Sequence, residues 1–376
     1  MYSMSIYELP GYNSLSAVTT YKDHMFFLVD TKKDSSKGNE DPISRICQTR
    51  LFCTEPNGKI IWEKELMSYG NNKSISLKID SIRNEIFVLA RTQVITADFY
   101  SQNGKLICLT LLGDIKWSKQ LDDECSRMDT YNGGILLTGM SYGAEEKTFI
   151  YNVSFSGDVI SKDYKPFNRD KSARYYCDVI GSANEKYIIN IIPYDKDKNR
   201  LEVTIDNTKK TFHYPSGTFD NSVEGIAVSI ITKEKDIILL VTSKFKYPST
   251  GLQNQGLLGA DDGLWSNERI LTLVKYSNGK VYSCILDTIN SIQYGNVIQN
   301  NNKLIIYYAS RTSSTIIEMA NFGKISHQAD FFYSNWNNYE FIKTIISNKE
   351  GYFLIGTKFN KYKNENIFYR KFSWGR

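Results

Sequence analysis

The chain has 376 residues, 41% of them hydrophobic and 13% aromatic, and its 24 Gly and 7 Pro are too few for a collagen-like or Gly/Pro-rich disordered protein. With 46 Lys and Arg against 41 Asp and Glu, the net charge is +5. Basic and acidic residues are interspersed along the chain, which suits a soluble globular protein. The sequence has no block of basic residues of the kind that is typical of nucleic-acid-binding proteins.

Membrane and export signals are not visible. Apolar runs such as 237–241 fall far short of the about 18 residues of a membrane helix. The first ten residues, MYSMSIYELP, lack the basic and apolar regions of a secretory signal. The sequence therefore predicts a cytoplasmic protein without a membrane partner, in which widely spaced cysteines are reduced and belong to the core. The cysteines are Cys47, Cys53, Cys108, Cys125, Cys177 and Cys284.

A short apolar run recurs seven times, each time after a short polar turn. Each run is too short for a helix and rich in Ile, Leu, Val, Phe and Tyr, which favours a strand buried on both faces. The runs begin at Met25, Ile86, Ile135, Tyr187, Ile237, Leu304 and Tyr352, about 48 to 67 residues apart. A further strand precedes each turn, at 17–20, 75–79, 127–130, 178–180, 226–231, 296–298 and 341–346.

A second hairpin follows in most copies and turns at a glycine, which supplies the positive φ of a tight turn. These glycines are Gly58, Gly113, Gly157, Gly279 and Gly323, whereas the fourth copy turns at Asp206 and Asn207. Each copy thus predicts four antiparallel strands, A to D, in about 50 residues. This pattern is typical of a β-propeller blade, and the chain is predicted to be one all-β, seven-bladed propeller domain over residues 1–376. Two packed sandwiches or a β-helix are the structural alternatives.

Ring closure offers an independent argument. The last copy has a strand C at 366–374 and then ends, whereas a spare strand, 5–9, lies at the N-terminus. We expect this spare strand to complete blade 7, because closure removes the free sheet edges of an open ring.

The segments Gly58-Lys59-Ile60-Ile61-Trp62 and Gly113-Asp114-Ile115-Lys116-Trp117 carry a G-x-x-x-W step. This step resembles the repeat of quinoprotein-type (PQQ-like) propellers, clearly in two blades and more loosely in three others. The resemblance implies the fold alone, since many members of that superfamily hold no quinone. No cofactor is expected.

A partner or ligand is expected to bind on the B–C and D–A loops, because the strand edges are already paired within the sheets. Blades 1 and 5 exceed the usual repeat length through insertions at 31–42 and 246–268, and both are predicted to project from one rim. The first insertion is Lys-, Asp-, Ser- and Gly-rich and suits a solvated loop. The second contains Leu257, Leu258, Leu264 and Trp265, which either cap the channel of their own propeller or anchor a partner.

Aromatic residues on other predicted loops would extend this surface, and Trp, Tyr and Arg are frequent binding anchors. The candidate partner-binding residues are Tyr69, Tyr142, Tyr194, Tyr247, Leu257, Leu258, Asp261, Asp262, Trp265, Arg269, Tyr333, Trp336 and Tyr339.

Signals for catalysis or metal binding are weaker. The spacing of Asp195, Asp197 and Asn199 resembles the start of a calcium loop, but Arg200 stands where glycine is expected. Two acidic runs, Asp122-Asp123-Glu124 and Asp261-Asp262, lie on predicted loops and could serve a glycosidase as paired carboxylates or bind a metal. Ordinary turn and surface roles explain both patterns, and no catalytic or metal residue is assigned.

The sequence favours a non-catalytic scaffold that is monomeric on its own and binds a protein or peptide through the B–C/D–A loops. One form of this function is an immunity-type protein that neutralises a toxin or effector. The alternative is a propeller that binds or hydrolyses carbohydrate at an aromatic and acidic channel mouth. A quinone- or metal-dependent enzyme is a third interpretation, for which the sequence shows no convergent ligands.

Overall fold

The structure is a computed structural model. It describes residues 4–7, 12–32, 47–95, 100–141, 147–166, 176–181, 185–195, 198–205, 208–215, 221–246, 265–289, 294–310, 313–332, 340–348, 351–359 and 365–374. These residues form strands and turns only, in seven four-stranded antiparallel sheets, and the fold is a seven-bladed β-propeller. No helix that could cross a membrane occurs among them.

The chain divides into two compact units, Met1–Pro166 with Tyr333–Arg376 and Phe167–Phe332. The first three blades all belong to the first unit. Blade 1 and the strand before it consist of β1 (Met4–Tyr7), β2 (Tyr12–Tyr21), β3 (His24–Lys32), β4 (Cys47–Thr54) and β5 (Ile60–Gly70). Blade 2 consists of β6 (Asn72–Asp80), β7 (Glu85–Ile95), β8 (Tyr100–Thr110) and β9 (Ile115–Gln120). Blade 3 consists of β10 (Glu124–Tyr131), β11 (Gly134–Ser141), β12 (Lys147–Val153) and β13 (Val159–Pro166).

The second unit holds blades 4 to 6. Blade 4 consists of β14 (Tyr176–Gly181), β15 (Lys186–Asp195), β16 (Lys198–Ile205) and β17 (Thr208–Pro215). Blade 5 consists of β18 (Asn221–Ile231), β19 (Ile237–Lys246), β20 (Trp265–Ser277) and β21 (Lys280–Ile289). Blade 6 consists of β22 (Tyr294–Asn300), β23 (Lys303–Ala309), β24 (Ser313–Asn321) and β25 (Lys324–Phe332).

Blade 7 returns to the first unit with β26 (Glu340–Asn348), β27 (Gly351–Phe359) and β28 (Glu365–Phe372). Its fourth strand is β1, which pairs antiparallel with β28 from Met4 opposite Arg370 to Tyr7 opposite Ile367. The predicted closure by the N-terminal strand is therefore confirmed. The single-domain interpretation of residues 1–376 stays a prediction.

Every predicted strand B is present and starts within one residue of its predicted position. The reason is burial on both faces: in β7, the residues from Ile86 to Ala90 are each 0% exposed. Alternate residues enter different cores, since Ile86 and Val88 pack towards blade 1 and Phe87 and Leu89 towards blade 3. A strand shared between two cores must be apolar throughout, which gives the continuous runs seen in the sequence.

At two of the predicted glycine turns, a tryptophan of the preceding blade packs against the turn. Gly113 has φ +90° and Gly157 has φ +91°, and a Cβ on them would lie 2.9 and 3.0 Å from the rings of Trp62 and Trp117. The Trp62 indole N–H donates to the Leu111 carbonyl over 3.2 Å, and that of Trp117 donates to the Phe155 carbonyl over 2.9 Å. The G-x-x-x-W step thus joins neighbouring blades, which explains it structurally.

Candidate functional site

Nine of the thirteen predicted site residues lie outside the described residues. They are Tyr142, Tyr247, Leu257, Leu258, Asp261, Asp262, Tyr333, Trp336 and Tyr339. The other four lie in strands: Tyr69 in β5, Tyr194 in β15, and Trp265 and Arg269 in β20. Their assignment to a binding surface stays a prediction.

The bounds of the two insertions need correction. Thr31 and Lys32 belong to β3, which continues past the predicted strand end. Lys246 ends β19 and Trp265 begins β20, and the two residues are paired across the ladder. Trp265 was expected in a segment without strand pattern, but cross-strand pairing extends β20 to include it. The remaining connections are 33–46 and 247–264.

The stem of the 33–46 connection is fixed by a buried carboxylate. Asp30, in β3, is 6% exposed and accepts hydrogen bonds from Ser16 Oγ at 3.1 Å and Thr49 Oγ1 at 2.8 Å. It also accepts the backbone N–H of Ser74 in blade 2 at 2.9 Å. One side chain therefore joins both strands that flank the connection to the first strands of blades 1 and 2. We call Asp30, Ser16, Thr49 and Ser74 the blade-1 stem.

Register shifts in the first strands create the stem geometry. In β2 the pairing with β3 skips between Leu15 and Ala17, and in β6 the pairing with β7 skips between Ser74 and Ser76. Such bulges leave a backbone group unpaired in the ladder. Asp30 accepts the N–H of Ser74 beside this second shift.

Blade 7 contributes a buried cation beside the same stem. Lys343 lies where the pairing of β26 and β27 skips from Ile342 to Thr344, and it is 8% exposed. Its ammonium donates to the carbonyl of Leu15 at 3.1 Å and approaches Ser14 Oγ at 3.4 Å. Since Ser14 is opposite Asp30 in the ladder, residues of blades 7, 1 and 2 converge at the blade-1 stem.

Two cations and one carboxylate meet at the B–C/D–A end of blade 2. Lys73 and Arg91 are directly opposite each other in β6 and β7. Arg91 Nη1 donates to Glu124 of blade 3, whereas its Nε is buried without a hydrogen-bond partner among the described residues. Burial raises the pKa of Glu124 above its ordinary value, although Arg91 and Lys73 oppose this shift. Gly139 is required beside this pair, because a Cβ there would lie 1.9 Å from the Glu124 carbonyl.

The acidic run that includes Glu124 does not form a paired-carboxylate site. Asp122 is exposed and binds the Lys162 ammonium at 3.2 Å. Asp123 is buried and accepts the Tyr164 hydroxyl at 2.9 Å, and Glu124 binds Arg91. Each carboxylate therefore has a different partner. The solvated-surface interpretation is wrong for Asp123, because this residue is buried in the bend before β10, where its carboxylate accepts the Tyr164 hydroxyl.

Similar internal networks occupy blade 6. Glu318, 3% exposed, accepts Ser326 Oγ at 3.0 Å and contacts His327 Nδ1 at 3.1 Å and Lys303 Nζ at 2.9 Å. A serine nucleophile needs its hydroxyl bonded to the imidazole, and here the hydroxyl donates to the carboxylate. The geometry is that of a buried acid stabilised by its neighbours.

The calcium-like spacing falls in a hairpin of blade 4. Asp195 ends β15 and pairs with Lys198 of β16, and Asn199 is in β16 as well, whereas Asp197 lies outside the described residues. Asp195 and Asn199 are therefore strand residues of the β15–β16 pair. Within the described part of the chain, no group of three or more His, Cys, Asp or Glu side chains could hold a metal ion.

Among the cysteine side chains that the structure describes, five are free thiols, and four of these are buried. Burial raises the pKa of Cys53 to about 11 and that of Cys108 to about 12, with a further contribution from Glu85 at Cys108. Thiols with raised pKa values are poor nucleophiles at neutral pH. The predicted core role is confirmed for Cys47, Cys53, Cys108 and Cys125.

Blade 2 contains an arm that the repeat pattern of the sequence did not predict. The β7–β8 ladder continues through Gln93 opposite Gln102, Val94 opposite Ser101 and Ile95 opposite Tyr100. Pairing of β6 with β7 ends at Thr92, and pairing of β8 with β9 ends at Lys105, so residues 93–95 and 100–102 pair only with each other among the described strands. We call them the blade-2 arm. The sequence feature that indicates this arm is the run of β-favouring residues Thr92, Val94 and Ile95, which follows the predicted strand.

Comparison with known proteins supports the fold. No protein-family model matches the chain, and no curated protein matches it. The β-propeller domain of the Trilobed protease from Pyrococcus furiosus is 10% identical, with a TM-score of 0.51 over 97% of this chain and 99% of that domain. That domain is described as having an open velcro topology, whereas here β1 pairs with β28.

A second solved structure is acylaminoacyl peptidase from Pyrococcus horikoshii. It is 12% identical to this chain, with a TM-score of 0.50 over 96% of this chain and 51% of the peptidase. This chain thus spans about half the length of that enzyme. At such identities the likeness shows a shared propeller fold, and the function must be argued from the chain's own residues.

Proposed function

We propose that this propeller is a non-catalytic binding protein that holds a protein or peptide on the loops at the B–C/D–A end of its blades. The observation that carries the proposal is the blade-1 stem. The Asp30 carboxylate fixes both ends of the 33–46 connection to the first strands of two blades. A loop on an ordered stem loses less conformational entropy when it binds, so more of the contact energy is available for affinity.

The surrounding chemistry agrees with binding rather than turnover. The acidic run in blade 3, the one described candidate for a glycosidase pair, is divided among Lys162, Tyr164 and Arg91. The described polar clusters stabilise strands and blade interfaces. We therefore retain a protein or peptide partner as the proposal, with neutralisation of a toxin or effector as one form. The free thiols are compatible with the proposed cytoplasmic location.

The test is affinity capture from native lysate with the whole chain as bait and quantitative mass spectrometry. Three baits are compared: wild type, a variant with 247–264 replaced by a short Gly/Ser linker, and Leu112→Asp. Leu112 is 78% exposed in the C–D turn of blade 2, at the opposite end of its sheet, and serves as the matched control.

We expect one stoichiometric protein with wild type and Leu112→Asp, and at least tenfold less with the loop variant. Equal capture by all three baits contradicts recognition by that loop. Loss with Leu112→Asp alone places binding at the turn end and contradicts the proposal. Absence of any stoichiometric protein, with binding on a glycan array instead, favours the carbohydrate alternative.

A further inference from the structure

The blade-2 arm has two strand edges that no described strand covers. Among the described strands, nothing pairs with residues 93–95 on the β6 side or with 100–102 on the β9 side. An exposed edge presents unpaired N–H and C=O groups and accepts an added strand. The arm stands at the B–C end of its blade, where the proposed function locates recognition.

One of these edges continues the line of β6. Pairing of β6 with β7 ends at Asn72 opposite Thr92, so a strand added to residues 93–95 would lie directly beyond Asn72 and Lys73. β6 is also the first strand of its sheet and lies against the first strands of blades 1 and 3. An added segment would therefore continue the sheet of blade 2 beyond β6, next to the point where the chain enters that strand from β5 through Asn71.

The base of this edge is cationic. Lys73 is exposed, makes no ion pair with another described residue, and is directly opposite Arg91. Like charges directly opposite in an antiparallel pair are destabilising unless an anion lies between them or nearby. Glu124 supplies one carboxylate to Arg91 Nη1, and Lys73 also acts on this carboxylate electrostatically. The exposed Lys73 ammonium is the group of this pair that a second carboxylate can reach.

We infer that the blade-2 arm is a docking edge for an extended acidic polypeptide segment, which adds as a strand along 93–95 and places an Asp or Glu side chain at Lys73, beside Arg91. This inference rests on the proposed function and names the element and the partner chemistry. Main-chain pairing supplies affinity, and the cationic pair selects acidic segments and fixes their register.

The experiment is selection of random 12-residue peptides, displayed on mRNA, against the immobilised full chain, followed by fluorescence anisotropy with the enriched peptides. Two variants are used. In the first, residues 93–102 are replaced by Asn-Gly, which closes the hairpin at the paired residues Thr92 and Asn103. In the second, Lys73→Glu reverses the charge at an exposed position and leaves the arm intact.

We expect acidic peptides to be enriched, with Kd values raised at least tenfold by either variant. A peptide whose acidic residue is changed to Lys should regain affinity for Lys73→Glu, which a merely structural effect of the substitution would not produce. The 247–264 linker variant should leave these Kd values within about threefold.

The inference is overturned if the enriched peptides bind the arm-deleted chain as tightly as wild type. It is also overturned if any polyanion binds as tightly as the enriched peptides and its affinity does not depend on the arm. Loss of binding only in the 247–264 variant refutes the arm but preserves the proposed function. No enriched peptide together with no captured protein refutes both.

Discussion

Replacing Asp30 with alanine is expected to destabilise the first unit strongly. The change removes the acceptor of three hydrogen bonds, from Ser16 Oγ, Thr49 Oγ1 and the Ser74 N–H. The two hydroxyls can rotate towards other acceptors, but the buried backbone N–H cannot. A buried unsatisfied donor costs about 1–3 kcal/mol, and hydrogen bonds to a charged group contribute about 1.5–3 kcal/mol each. We expect a total loss of about 3–5 kcal/mol.

The assay is equilibrium urea unfolding followed by tryptophan fluorescence, with Asp163→Ala as the control. Asp163 is an exposed carboxylate in β13, and its removal should change the free energy of unfolding by less than about 0.5 kcal/mol. Asp30→Asn keeps one acceptor oxygen, so its loss in the free energy of unfolding should lie between those of Asp30→Ala and Asp163→Ala. Hydrogen exchange should also accelerate at 47–49 and 72–74. A loss below about 1 kcal/mol for Asp30→Ala would refute the stem as a stabilising junction between blades 1 and 2.

Two further predictions concern turns and thiols. Gly113→Ala should cost about 2–4 kcal/mol by urea unfolding, because it combines a positive φ with a Cβ 2.9 Å from Trp62. Gly279→Ala shares the positive φ but has open space, so it should cost only about 1–2 kcal/mol, and equal losses would refute the tryptophan dock. The thiol pKa values of Cys53, about 11, and Cys108, about 12, lie above the ordinary 9.0, so the unfolded chain ionises first and stability falls as pH rises above 9. By pH 10, each thiol should lower the free energy of unfolding by about 1 kcal/mol. If the pH dependence of the unfolding free energy is the same in wild type and in Cys53→Ala, the assignment is contradicted.

The strands were predictable because their determinants are local. Double burial makes strand B apolar over several consecutive residues, and the tight C–D turn requires glycine, as at Gly113. Closure by β1 could be predicted because the last repeat lacks a strand that the N-terminus supplies.

The polar sites were not predictable, because burial of a polar side chain depends on neighbouring blades. Nothing local to Asp30 or Lys343 distinguishes it from a surface charge. Each is buried by a register shift or a contact in a strand of another blade. The blade-2 arm was missed for a related reason: its length depends on where β6 and β9 stop pairing, and pairing length is a property of the sheet.

The most direct test of the binding account is hydrogen–deuterium exchange of the full chain with and without its captured partner. The account predicts protection in peptides that contain 33–46, 93–102 or 247–264, and unchanged exchange at the A–B and C–D turns that include residues 22–23, 111–114 and 132–133. Protection confined to those turns, with unchanged exchange in the B–C connections, would contradict recognition at the B–C/D–A end.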